Sequence, residues 1–384
     1  MVDERPDPWS AVASVGTGRT VADRPAGWCR RLAVRPGSDD ALARDEPPPR
    51  SERPWNDGRM AQELSPDVHP LDEQRDPSEV ALVQSLAAQA ASRHGADLTR
   101  MRRANGYSNA TWVGDGIAVR IARTPVGMAR EAALVRALPP EVGHPTILGE
   151  GVSQRHGWIV TREVRGRNLG EAWPTLAPAE QRRAVTQLWS RARAVHEATA
   201  SLSSHVETHG GFIPATHDES TAAGRRAERA IGLSSAQRSR LHALLDEYFR
   251  LAPEVPQVVD HGDLALMNAL WDGEVVALLD FEYALLGPVE IDLCRLVCEA
   301  RVTEDGQFVD SDAGDIAAEL AAQEMDPTHG RALIHGAAVL DQLRDLDIWL
   351  GNDGGGEPVE EWRPVRLLTG LLAPDGGYLA SLVG

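Results

Sequence analysis

Apolar residues recur at Val80, Val83, Leu86, Ala87, Ala90 and Ala91, the spacing of one helix face, and predict a helix over Glu79–His94 capped by Gly95. Strand-like runs follow at Leu98–Ala104, Ala110–Val113 and Ile117–Ile121. Gly114-Asp115-Gly116 between the last two is a hairpin signal. Met128–Leu138 returns to helical spacing with Glu131 in its first turns, and Thr146–Val152 and Trp158–Val164 are predicted strands. After about residue 165 the pattern changes. Ala177–Thr199 is long and amphipathic, with Val185, Leu188, Trp189, Ala192 and Val195 on one face, and Ala236–Leu251 is a further helix. Two short apolar runs, Ala269–Trp271 and Glu274–Leu279, are joined by Asp272-Gly273. Predicted helices over Glu290–Ala300, Asp315–Gln323, His329–Leu350 and Trp362–Leu372 close the chain. The expected class is α+β, a small antiparallel sheet with one inserted helix followed by a larger, mostly helical part.

Composition changes the picture at the front. Residues 1–77 hold 11 of the 25 prolines and no sustained apolar period, which predicts a disordered extension. No apolar run approaches the roughly 18–20 residues that span a bilayer, and the acidic start carries no signal-like segment. A cytoplasmic location without membrane contact is expected. Three cysteines cannot make a disulfide framework; Cys294 and Cys298 share a helix face and are expected to be buried packing.

Charge narrows the partners. All 39 basic residues are arginine, and residues 255–384 carry 25 acids against 6 arginines, net -19. Such a surface repels phosphate backbones and excludes nucleic acid as a partner there. It attracts a cationic small molecule, or it is simply a solvated acidic face; composition alone allows both.

The candidate chemistry lies in His261-Gly262-Asp263 with Asn268 five residues beyond Asp263, and in Asp280-Phe281 after an apolar run. That spacing is the one used for phosphoryl transfer: a carboxylate beside the acceptor hydroxyl, then an amide and a second carboxylate as hard oxygen ligands for Mg²⁺.

These motifs, with Gly287-Pro288-Val289-Glu290-Ile291-Asp292-Leu293 downstream, resemble the aminoglycoside phosphotransferase family, small-molecule relatives of the protein kinases. The resemblance covers residues 98–300 and implies a two-lobed protein kinase-like fold. Residues 78–165 would be the nucleotide lobe and residues 166–384 the helical lobe with the acceptor pocket. It implies ATP (or GTP) and Mg²⁺, with Asp263 orienting or deprotonating the hydroxyl and Asn268 and Asp280 holding the metal. In the nucleotide lobe, Asn105-Gly106-Tyr107-Ser108-Asn109 matches the phosphate-covering loop, so Ser108 and Asn109 are candidate phosphate contacts. Arg120 stands where the family has a basic residue paired with a helix glutamate, here Glu131. A protein kinase has lysine there; the complete lack of lysine in this chain accounts for arginine, which suits phosphate. Trp158–Gly166 matches the interlobe hinge, where backbone groups of Arg162 and Val164 would meet the adenine. His261 and Asp292 are expected to hold the loop, and His196 to be core.

The resemblance implies transfer to a hydroxyl of a small molecule, first an aminoglycoside or other cationic antibiotic in a resistance-type reaction. Macrolides, peptide antibiotics, choline-like amines, homoserine and sugars remain alternative acceptors within it. Asp341, Asp345 and Asp347 either line that pocket or face water. Two other classes stay open: a nucleotide-binding pseudokinase, suggested by Arg120 and by Glu282 where kinases have glycine, and a binding module working through the proline-rich extension.

Overall fold

The structure, a computed structural model, describes residues 76–104, 109–123, 128–206, 213–214, 216–303, 305–351 and 358–383. The extension expected over 1–77 lies outside them except for its last two residues, and so does Ser108.

Helix α1 (Pro77–Arg93) starts where Asp76 accepts the Ser78 N–H at 2.8 Å and proline occupies the first turn. Its buried face, Val83, Leu86, Ala87, Ala90 and Ala91, packs with Val119, Ile121, Trp158 and Val160 of a five-stranded antiparallel sheet. The sheet order is β1 (Arg102–Ala104), β2 (Asn109–Gly114), β3 (Ile117–Ala122), β5 (His156–Arg162), β4 (Ile147–Ser153). The strand expected over Leu98–Ala104 is shorter. Asp97 accepts the Thr99 N–H at 3.0 Å and turns Leu98–Arg100 into a 3₁₀ segment, which leaves Arg102–Ala104 to pair with β2. Helix α2 (Ala129–Ala137) lies between β3 and β4 in sequence and turns Glu131 inward, 5% exposed.

The remainder is mainly helical. It comprises α3 (Leu169–Ala172), α4 (Pro178–Glu197), α5 (Thr199–Leu202), α6 (His217–Ile231), α7 (Ser235–Leu251), α8 (Glu290–Arg301), α9 (Asp312–Glu324), α10 (Gly330–Gly351), α11 (Arg363–Leu371) and α12 (Ala380–Val383). Two small antiparallel sheets interrupt it. One orders β6 (Arg167–Asn168), β8 (Ala269–Trp271) and β9 (Val275–Leu278); the other pairs β7 (Val258–Asp260) with β10 (Leu285–Gly287). One large apolar cluster, with Leu188, Val259, Leu264, Leu278, Phe281, Leu293 and Leu340 all buried, joins α4, α8 and α10 to these strands. The segments 261–268 and 279–284 therefore leave short strands that are anchored in a close-packed core. Among the described residues no helix is long and apolar enough to cross a membrane.

Candidate active site

Strand β7 runs directly into His261-Gly262-Asp263. Gly262 has φ +78°, and a Cβ there would run into the Tyr283 carbonyl, so both conformation and space demand glycine. Asp292, in the first turn of α8, grips this backbone. Its Oδ2 accepts the His261 N–H at 2.8 Å and its Oδ1 the Gly262 N–H at 3.0 Å, while His196 Nε2 approaches Oδ2 at 2.9 Å. Burial pushes the Asp292 carboxyl up, but the His196 contact and the loop N–H groups hold it below the ordinary carboxylate range. The His261 ring bonds the Leu279 carbonyl at 2.8 Å and lies 4.5 Å from the Phe281 ring. Both histidines are thus tied into loop support.

The side chains of chemical interest converge beyond this brace. Asn268 Nδ2 donates to the Asp263 carbonyl and to Asp263 Oδ2, both at 2.9 Å. The Asn268 carbonyl accepts the Leu279 N–H at 2.7 Å, which ties it to the residue before Asp280. Asp280 adopts φ 64°, ψ 66°, a left-handed conformation that aspartate tolerates better than most residues. Arg120 reaches it from β3, at 3.2 Å from Oδ1, and also pairs with Glu131 of α2. Burial raises both the Asp280 and Glu131 carboxyls, and the Arg120 guanidinium opposes it. Burial also works against Arg120, but Glu131, Asp280 and Glu282 more than offset it and keep it charged.

A divalent cation fits these donors. Asp280 Oδ1 is buried and carries no aligned hydrogen bond. With its Nδ2 engaged by Asp263, Asn268 presents its Oδ1, a second hard oxygen. Hard oxygens with a surplus of buried negative charge suit Mg²⁺.

The other residues singled out have these surroundings. Asn109 is buried and donates to Glu282 Oε2 at 3.1 Å, across the two lobes. Arg162 donates its N–H to the Thr146 carbonyl at 2.8 Å, so that N–H is already engaged; Val164 follows just beyond β5. The acids sought as pocket lining each face arginine: Asp341 pairs with Arg295 at 3.2 Å, Asp345 with Arg344 at 3.2 Å, and Asp347 with Arg226 at 2.9 Å. Cys294 and Cys298 are buried free thiols, and burial pushes the latter up to about 11, consistent with packing.

Two residues carry weight that their spacing did not signal. Arg295 lies 3.1 Å from Asp263 Oδ1; its only trace in the sequence is its place three residues after Asp292 on one helix face. Asp260, immediately before the loop, is fully buried, and burial together with the Asp292 charge raises its carboxyl well above the ordinary range.

Residues 99–333 match the family model described as the phosphotransferase enzyme family. No curated protein matches the chain by sequence. Solved structures resemble it over about three quarters of its length. The GDP complex of wild-type aminoglycoside 2'-phosphotransferase-IIIa has TM-score 0.56 and 14% identity, over 76% of this chain and 96% of that one. A choline/ethanolamine kinase family protein from Mesorhizobium loti has TM-score 0.56 and 16% identity, over 79% of this chain and 99% of that one. A thermostable mutant of aminoglycoside phosphotransferase APH(4)-Ia, in ternary complex with ADP and hygromycin B, has TM-score 0.53 and 14% identity, over 75% and 98%. At these identities the likeness is one of fold, the two-lobed protein kinase-like fold.

Proposed function

The chain belongs to the phosphotransferase enzyme family, and from that premise we propose that it transfers the γ-phosphoryl group of ATP (or GTP) to a hydroxyl of a small amine-bearing molecule. The observation that carries this is the meeting of Asp263, Asn268, Asp280 and Arg120 from three segments of the chain.

Bound nucleotide would supply the phosphoryl group, and Asn268 and Asp280 would hold magnesium, which would supply the positive charge that screens it. The chain's own residues then have separate tasks. Asn268 fixes one oxygen of Asp263, which leaves Oδ1 to accept the acceptor O–H and orient its oxygen. Arg120 offers a permanently charged guanidinium toward the phosphates while Glu131 holds it in place. The Arg162 carbonyl and the Val164 backbone would receive the adenine edge. Asn109 braces Glu282 at the mouth of the site.

The acceptor we favour is an aminoglycoside or a similar cationic antibiotic, which fits a resistance-type kinase. Its support is the net -19 of residues 255–384, a surplus that remains after all six arginines there are matched with acids. One of the solved structures above holds such a compound, hygromycin B, beside ADP. A second reading, a small amino alcohol with a single amine, is favoured by the pairing of Asp341, Asp345 and Asp347 with arginine. A polycation needs several carboxylates not already matched.

A nucleotide-turnover screen against aminoglycosides, cyclic peptide antibiotics, macrolides and small amino alcohols tests this. Turnover with an amine-bearing alcohol is the expected result. Turnover with a neutral sugar or an amine-free macrolide alone would overturn the acceptor class, and tight nucleotide binding without turnover on any acceptor would favour a pseudokinase.

A further inference from the structure

We propose that Arg295 is the positioning residue of Asp263, and that it acts from an anchor on Asp341. The proposal rests on Asp263 being the group that receives the acceptor hydroxyl.

The two oxygens of Asp263 are treated differently. Oδ2 accepts from Asn268 at 2.9 Å. Oδ1 is buried, lies 3.1 Å from an Arg295 guanidinium nitrogen, and has no aligned hydrogen bond. Arg295 therefore supplies charge and a steric stop on that side while the oxygen keeps a lone pair for an incoming O–H. With Asn268 alone, the carboxylate would pivot about that single contact. Two contacts, one on each oxygen, define its plane.

Arg295 is itself held. Its other terminal nitrogen pairs with Asp341 of α10 at 3.2 Å, and Asp341 also accepts from Gln342 Nε2 at 2.8 Å. A guanidinium is a rigid planar fork, so a carboxylate at each end fixes its orientation. Burial works against its charge, but Asp341, Asp263 and Glu299 more than offset this and keep it protonated.

Helix α8 repeats this pattern along one face. Asp292 takes the N–H groups of His261 and Gly262, Arg295 faces the Asp263 side chain, and Glu299 accepts the Leu266 N–H at 3.0 Å. The spacing is three and then four residues, one stripe of a helix, laid along the loop from 261 to 266. Asp292 and Glu299 set the backbone, and Arg295 sets the one side chain that must meet the acceptor.

The test is a double-mutant cycle on the full chain. Its readouts are kcat, with the best acceptor of the screen or with water if none turns over, and Mg·ATP affinity. Arg295→Gln should lower kcat by up to about 10²-fold, the scale of a small misplacement at a reacting centre, with Mg·ATP affinity within about twofold. Arg295→Lys should recover part of the loss, since it returns the charge but not the fork. Asp341→Asn should lower kcat in the same sense by less. In an Asp263→Asn background, Arg295→Gln should cost nothing further, because a residue acting through another loses its effect with it. Additive losses, or a loss that appears mainly in nucleotide affinity, overturn the positioning role. If Arg295→Gln does not fold, Arg295→Lys and Asp341→Asn carry the cycle. Wild-type turnover in Asp263→Asn would instead overturn the catalytic role of Asp263, and the positioning proposal with it. A crippled Asp263→Asn beside wild-type Arg295 variants would overturn the positioning proposal alone.

Discussion

Asn109 on β2 donates a 3.1 Å hydrogen bond to Glu282, 173 residues away, and so links the five-stranded sheet to the segment that carries Asp280. Kinases have glycine at the Glu282 position, and here the carboxylate adds negative charge beside Arg120 and Glu131. Glu282→Gln keeps an acceptor for Asn109 and removes that charge. It should tighten metal-free ATP binding by about fivefold, roughly 1 kcal/mol of relieved repulsion, and leave Mg·ATP affinity nearly unchanged. Titration calorimetry with and without magnesium checks this. A large loss of Mg·ATP affinity would make Glu282 a metal ligand instead.

Asp263 and Asp280 should fail in different ways. Asp263→Asn is expected to bind Mg·ATP almost normally and lose about 10²–10⁴-fold in turnover, the range for a missing general base. Asp280→Asn should lose magnesium-dependent nucleotide affinity as well as turnover. Measuring kcat and nucleotide affinity for both variants separates the roles; intact Mg·ATP affinity in Asp280→Asn removes the metal assignment.

Arg120 stands between two carboxylates that burial already disfavours as anions. Arg120→Ala should weaken ATP use by roughly 10–100-fold, as for one lost charge-assisted contact, and should also lower the melting temperature, since it strands buried charge at a cost of about 3–5 kcal/mol. Arg120→Lys should keep much of both. Alanine kinetics equal to wild type at low ATP would reduce Arg120 to a structural strand residue.

His144 gives a pH signature. It packs edge-on to Phe281 at 5.8 Å, and burial lowers its pKa from 6.5 to about 4. Above pH 6.5 the ring is neutral folded and unfolded, and its contribution is complete. As pH falls from 6.5 to about 4 the unfolded chain takes up a proton that the folded chain refuses. Stability is therefore lost across that window, about 3 kcal/mol in all, and the loss levels off below it. The difference between wild-type and His144→Gln denaturation curves across pH 4–7 should show this slope; parallel curves would mean that the ring titrates alike in the folded and unfolded chain.

The long helices were legible because their large apolar residues repeat at helical spacing, as Val185, Leu188, Trp189, Ala192 and Val195 do in α4. Helix α6 was not. Its buried face is Ser220, Ala223, Gly224 and Ala227, small residues that leave no apolar period; a Cβ added at Gly224 would meet the Leu241 side chain at 3.5 Å. Strands β6, β7 and β10 have only two or three residues each, too few for alternation to register. Within the site, the spacing of Asp263, Asn268 and Asp280 pointed to the chemistry because those residues are near neighbours along the chain. The contacts of Asn109 with Glu282 and of Arg295 with Asp263 and Asp341 depend on how distant segments pack, which no local spacing encodes.

Arginine at position 120, in a chain without a single lysine, has a practical consequence. Nucleotide probes that report on kinases by acylating an amine beside the phosphates meet no side-chain amine in this protein. Profiling by such reagents would pass it by even at full occupancy. A dicarbonyl reagent that condenses with guanidinium groups is the matching chemistry, and bound nucleotide should shield Arg120 from it.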